Sequence, residues 1–120
     1  MRFLRICLLI IIWGSATVFS VNAQQNSDKN LTIGFSQVGS ESAWRLEFTR
    51  AIKAEAQERG INLILTDAEN SQKNQIAALR AFIAQHVDAI ILAPVIETGW
   101  DQVLREAQQA GIPVVIIDRN

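Results

Sequence analysis

The residues of this chain best suited to gripping a ligand lie in two places: Glu41-Ser42-Ala43-Trp44-Arg45 and Asp118-Arg119. An indole offers a flat apolar face and one N–H donor, which suits stacking on the C–H face of a sugar ring. A guanidinium offers five donors in a rigid fork, and a carboxylate accepts pairs of hydroxyls. Gathered together, Glu41, Ser42, Ala43, Trp44, Arg45, Asp118 and Arg119 make a candidate grip for a neutral polyhydroxy compound. Each has a plainer alternative. Trp44 falls in helical line with Phe48 and Ala51, so packing competes with stacking. Arg45 can be a solvated surface charge, although a cation in a first helical turn opposes the macrodipole. Asp118 can simply end a buried strand.

What brings the two places together is an alternation of strand and helix. Leu31–Ser36, Ile61–Thr66, Ala89–Ala93 and Ile112–Ile117 read as strands, the last two continuously apolar. Unbroken apolar strands are expected where helices cover both faces of a parallel sheet. Between them lie helical segments. The first, from Ala43 to Arg59, carries Phe48, Ala51, Ile52, Glu55 and Ala56 on one stripe, and Gly60 stops it. The second has Ser71 as N-cap and Ile76, Leu79, Phe82 and Ile83 as its buried face. The third follows Thr98 and Asp101, spaced as a capping box, and lines up Trp100, Val103, Leu104 and Ala107 before Gly111. The order β-α-β-α-β-α-β predicts an α/β fold with a parallel, doubly wound sheet. In such a sheet the ligand edge is the one at the carboxyl ends of the strands, where both candidate groups fall.

Several function classes are excluded. The chain has 120 residues, with 11 Lys+Arg against 12 Asp+Glu and a net charge of −1, which lacks the basic surplus of a nucleic-acid binder. No G-x-G-x-x-G or G-x-x-x-x-G-K-[ST] follows a strand, so nucleotide cofactors are disfavoured. His86 is the one histidine, assigned to the last turn of the second helix and to a structural role. With a single Cys as well, no zinc constellation exists, and neither cofactor nor metal is expected. No Ser/His/Asp set falls on one edge, so the chain reads as no enzyme. Asp67, Glu69 and Asn70 sit on the correct edge but suit an ordinary turn, and Trp100 suits packing.

The N-terminus reads as a secretory signal peptide over residues 1–23. Arg2 and Arg5 precede a short apolar run, and Val21-Asn22-Ala23 closes it with a small-residue pattern. An uncleaved anchor is the alternative, but the strongly apolar middle is short for a span of about 20 residues. Cys7 lies inside this leader, so the mature chain from Gln24 would hold no cysteine, and its net charge would be −3. Residues 24–30 are a polar lead-in, and 31–120 form the folded part. That part stops three residues after its fourth strand with no helix to follow, so we expect an incomplete lobe of a longer protein.

The stretch from Asn30 to Arg45 resembles the opening of mature periplasmic sugar-binding proteins of ABC importers, in the ribose/galactose-type group. Asn74-Gln75-Ile76, Ala84 through Ile90, Ala93-Pro94-Val95, Thr98-Gly99-Trp100 and Ile112-Pro113-Val114 through Asp118-Arg119 continue the resemblance. The Ile-Pro-Val…Asp-Arg ending is similar across that whole group; Ser-Glu-Ser-x-Trp-Arg is narrower and is similar to the galactofuranose-binding members. The resemblance implies a two-lobed, hinge-closing, monomeric periplasmic receptor with strand order 2-1-3-4-5 in each lobe. It implies a monosaccharide ligand, ligand contacts from Glu41 through Arg45 and from Asp118-Arg119, and delivery to a membrane permease. A sugar-sensing input domain of a membrane-bound signalling receptor is the alternative reading. A sugar-responsive repressor would need a DNA-binding helix-turn-helix where the signal-like segment stands.

Overall fold

The computed structural model describes residues 30–118. Expectations for the signal peptide with Cys7, the lead-in up to Lys29, and Arg119 lie outside the described residues. The elements run β1 (Thr32–Gln37), α1 (Ala43–Glu58), β2 (Asn62–Asp67), α2 (Gln72–Ala84), β3 (Ala89–Leu92), α3 (Asp101–Gln109) and β4 (Val114–Ile116). The strands form one parallel sheet in the order β2-β1-β3-β4. This is the expected order 2-1-3-4 of a doubly wound lobe.

Strand register sorts the side chains onto two faces. Leu63, Leu65, Phe35, Ile91 and Ile117 lie on one face, packed with Phe48 and Ile52 of α1. Ile64, Ile90, Leu92 and Val114 lie on the other, with Leu79 and Phe82 of α2, Trp100 just before α3 and Val103 within it. One helix covers the first face and two cover the second. The direction of winding therefore reverses between the parallel strands β1 and β3, and the loops leaving those strands part to opposite sides of the sheet. The crevice this opens at the carboxyl edge is where α/β sheets hold ligands.

Helix ends follow local chemistry. Ser42 and Ser71 cap α1 and α2, their hydroxyls accepting from the N–H groups of Arg45 (3.2 Å) and Asn74 (3.3 Å). Gly60 and Gly111 take the left-handed conformation just past α1 and α3. His86 does the same after α2 (φ 53°), so it lies outside the helix rather than in its last turn. The expected capping box at Thr98 is not formed. The residue before α3 is Trp100, without a side-chain cap bond, while the Thr98 carbonyl accepts from Gln72 Nε2 at 2.6 Å. Trp100 is buried instead, its indole N–H donating to the Ile96 carbonyl at 2.7 Å, and burial of the ring fixes where α3 can start.

Strand bounds differ from the sequence reading by a residue or so. β1 and β2 begin and end one residue later, and β4 is shorter than 112–117. Ladder bonds nonetheless flank it, from Ile90 N–H to the Pro113 carbonyl and from Ile117 N–H to the Leu92 carbonyl. Val115 and Ile116 on this edge strand are about half exposed. No helix among the described residues is long and apolar enough to cross a membrane.

Two predictions follow from this packing. A Cβ added at Gly34 would lie 2.5 Å from the Phe82 ring, because α2 rests directly on β1. Gly34→Ala is expected to cost about 1–3 kcal/mol in urea unfolding, with partial recovery when Phe82→Leu is added. Across α2 and α3, Arg80 Nε and Nη2 donate to Glu106 (2.9 and 3.0 Å). These bonds, opposed by desolvation and helped by the Arg80 charge and a hydrogen bond from Gln102, hold the Glu106 carboxyl below its usual 4.5. The pair therefore stabilises the fold fully above that value and fades as pH falls through the lowered one. Glu106→Gln should lower Tm at pH 7, and its difference from the parent should close on acidification.

Candidate sugar-binding edge

The buried stripe of α1 is Arg45, Phe48, Thr49, Ile52 and Ala56, positions i, i+3, i+4, i+7 and i+11. Ala51 and Glu55, expected on that stripe, are exposed, and Glu55 instead pairs with Arg59. The position of this stripe matters for the site. It puts Arg45 at the head of the core-facing stripe, one turn beyond Phe48, where α1 overhangs the carboxyl edge. Its side chain is accordingly only 14% exposed.

The Arg45 guanidinium stands between two carboxylates. Its Nε is 3.4 Å from Glu41 Oε1, and its Nη1 is 3.9 Å from Asp118 Oδ2. Arg45 and Asp118, far apart in sequence, thus share one crevice, reached from β1 on one side and β4 on the other. Neither contact satisfies Nη1, which is buried with no hydrogen-bond partner. A buried unpaired donor costs about 1–3 kcal/mol, more when charged, so its persistence calls for a physical reason. Asp118 sits in the left-handed region (φ 72°), which Asp tolerates better than most residues.

Trp44 is both packed and open. Its ring stacks on Phe48, with centroids 5.3 Å apart and planes 8° from parallel, yet the residue remains 56% exposed. The Arg45 guanidinium carbon lies 6.0 Å from the indole centroid. Ser42 is engaged as the α1 cap, so its hydroxyl is committed to the helix before any ligand arrives. Ala43 contributes only the first helical N–H on this edge. Arg119 lies outside the described residues.

Two buried polar side chains support this edge. Gln75, fully buried on α2, donates to the Ala93 carbonyl (2.7 Å) and accepts from Val95 N–H (2.8 Å), spanning Pro94. It thereby fixes the loop that leaves β3. Gln37, buried on β1, donates to Thr49 of α1 (3.2 Å) and accepts from Val38 N–H (2.9 Å). A polar residue on a core-facing helical position, as Gln75 is, was the available signal. Asp67, Glu69 and Asn70 form the expected turn: Asp67 accepts from Glu69 N–H, and Asn70 N–H binds the Val38 carbonyl. Ser36 and Thr66, paired in register, carry buried unpartnered hydroxyls on the face covered by α2 and α3. A hollow of about 290 Å³ lined by Gln37, Leu46, Thr49, Lys53 and Asp67 lies at the β2 end of the sheet, away from Asp118. No cluster of potential metal ligands occurs among the described residues.

A family model for the periplasmic binding protein domain matches residues 33–120. The chain belongs to this family. It is a family of binding proteins, so a reading of binding without turnover stands. Over 90 residues, 75% of this chain, the sequence is 57% identical to the galactofuranose-binding protein YtfQ of Escherichia coli K12. A solved binding protein of the arabinose ABC transporter from Shewanella sp. ANA-3, bound to α- and β-L-arabinofuranose, is 66% identical over 74% of this chain, with a TM-score of 0.73. A Mycobacterium smegmatis protein in complex with β-D-fucofuranose is 53% identical over 72% of this chain, with a TM-score of 0.70. The chain spans only 28% of the E. coli relative and 30% and 28% of the two solved chains.

The Gln75 bridge yields a prediction. Gln75→Leu keeps the bulk but removes both bonds of the bridge, the one donated to the buried Ala93 carbonyl and the one accepted from the Val95 N–H. It should destabilise the fold by about 2 kcal/mol or more, read as a lowered urea midpoint.

Proposed function

We propose that this chain supplies one wall of the cleft of a solute-binding component of an ABC importer, taking a furanose-form monosaccharide and delivering it to a membrane permease. In this reading residues 1–23 direct export to the periplasm, and residues 31–120 form part of a two-lobed receptor. The observation that carries the proposal is the buried Nη1 of Arg45 at the switch-point crevice, near Asp118 but without a hydrogen-bond acceptor. A sugar hydroxyl or ring oxygen is the acceptor that this donor lacks. Glu41 and Asp118 already balance the guanidinium charge, so the acceptor need not be anionic. Carboxylate oxygens of Asp118 accept from sugar hydroxyls, Arg119 donates to others, and Trp44 stacks on the ring's apolar face. Glu41 holds the guanidinium from the loop side, while Ser42 and Ala43 set the start of the helix that carries Trp44 and Arg45.

The choice of a furanose is supported by the ligands named for the relatives: galactofuranose, arabinofuranose and fucofuranose. Galactofuranose itself is our first candidate, on the Ser-Glu-Ser-x-Trp-Arg stretch. Nothing in the described residues favours a signalling receptor over an importer component.

The test uses the full-length protein and furanose-locked methyl glycosides of galactose and arabinose. Arg45→Ala should weaken binding about 10- to 150-fold, the worth of a charged hydrogen bond. Asp118→Ala should abolish the sugar-induced thermal shift. An undiminished shift in both variants would refute the assignment.

A further inference from the structure

Three rings form a continuous chain from the middle of the sheet to the ligand edge. Phe35 of β1 is completely buried. The Phe48 ring meets it edge-on, with centroids 6.2 Å apart and planes at 75°. The Trp44 indole then lies flat on Phe48 at 5.3 Å. Edge-to-face and offset-stacked pairs are the two favoured aromatic geometries, and both occur here in series. Phe48 is therefore locked from below by the core and in turn backs the indole.

A Trp in the first turn of a helix has little else to hold it. Helical backbone excludes one χ1 well and leaves two, and the aromatic χ2 is broad. At Trp44 more than half the residue faces solvent, so burial alone does not select an orientation. The residue at i+4 lies on the same helical face and can choose between the remaining wells.

We propose that Phe48 is a positioning residue for sugar binding: stacked beneath Trp44 and braced on Phe35, it fixes the indole plane before the ligand arrives. The inference rests on the reading above that Trp44 meets the sugar. Without this backing, binding would have to immobilise the indole itself, which weakens affinity by about 2- to 12-fold per ordered side chain. Phe48 touches no ligand in this account and acts only through Trp44.

The test uses full-length protein labelled with 5-fluorotryptophan, with the Trp44 resonance assigned by its loss in Trp44→Phe. Binding of methyl β-D-galactofuranoside is measured by calorimetry. Phe48→Leu and Phe48→Met should each shift the Trp44 fluorine resonance in the unliganded protein and weaken binding about 2- to 12-fold. Phe48→Tyr, which keeps the ring, should restore both. Two variants of different shape guard against a folding defect in one of them. If Trp44→Ala weakens binding while Phe48→Leu and Phe48→Met bind as the parent does, the positioning role is overturned and the sugar-binding reading stands. Weakened binding with an unmoved Trp44 resonance also overturns it, because Phe48 would then be acting through the core. If Trp44→Ala binds as the parent does, the role of Trp44 falls and this inference falls with it.

Discussion

Everything at the ligand edge depends on β1 being hydrogen-bonded on both sides by parallel strands. β2 pairs with it along its whole length and β3 along most of it. Parallel neighbours force each connection to cross a face of the sheet as a helix. With β1 central, the first crossover takes one face and the next two take the other. The crevice is the seam between those directions, and its position is set by topology before any side chain is chosen. Close packing holds the arrangement: α2 approaches β1 so tightly at Gly34 that no side chain fits there.

Within that seam, the site is a problem in local charge. Arg45 is drawn under the overhang of α1 by its place on the buried stripe. A guanidinium taken out of water needs compensation. Glu41 supplies it from the preceding turn and Asp118 from across the sheet, but at distances that leave one donor unpaired. A fully satisfied arginine would be a structural strut. One held in place by charge yet short of an acceptor is what the proposed function takes as its donor to a polar ligand. The polar supports behind it, Gln75 across the loop after β3 and Gln37 against Thr49, stiffen the loops that frame the edge.

The fold was largely readable because its signals are local. Ser42 and Ser71 start helices through their own hydroxyls, and Gly60 and Gly111 end them by accepting a left-handed backbone. Continuous apolar strands implied cover on both faces, and the pattern of alternation implied parallel pairing. Reading failed where a local rule met a tertiary demand. Thr98 has the spacing of a cap, but burial of Trp100 against α2 and β3 decides where α3 begins. His86 occupies a left-handed position that glycine takes in the other two helices. The sequence pattern by itself places the α1 stripe toward Ala51 and Glu55, because alanine and the stem of glutamate fit either side of an amphipathic pattern.

For the site, residue types and spacing determined which groups stand at strand ends and what chemistry they carry: a ring for stacking, guanidinium donors and carboxylate acceptors. Only the tertiary structure decided that Arg45 and Asp118 meet, that Ser42 is spent on a cap, and that Trp44 rests on Phe48 while staying open. The physical reason is one of range. Helix caps and strand patterns are set by neighbours a few residues away, whereas the meeting of Arg45 with Asp118 depends on β3 lying between β1 and β4. That adjacency is fixed by packing across the whole sheet, and no short stretch of the chain records it.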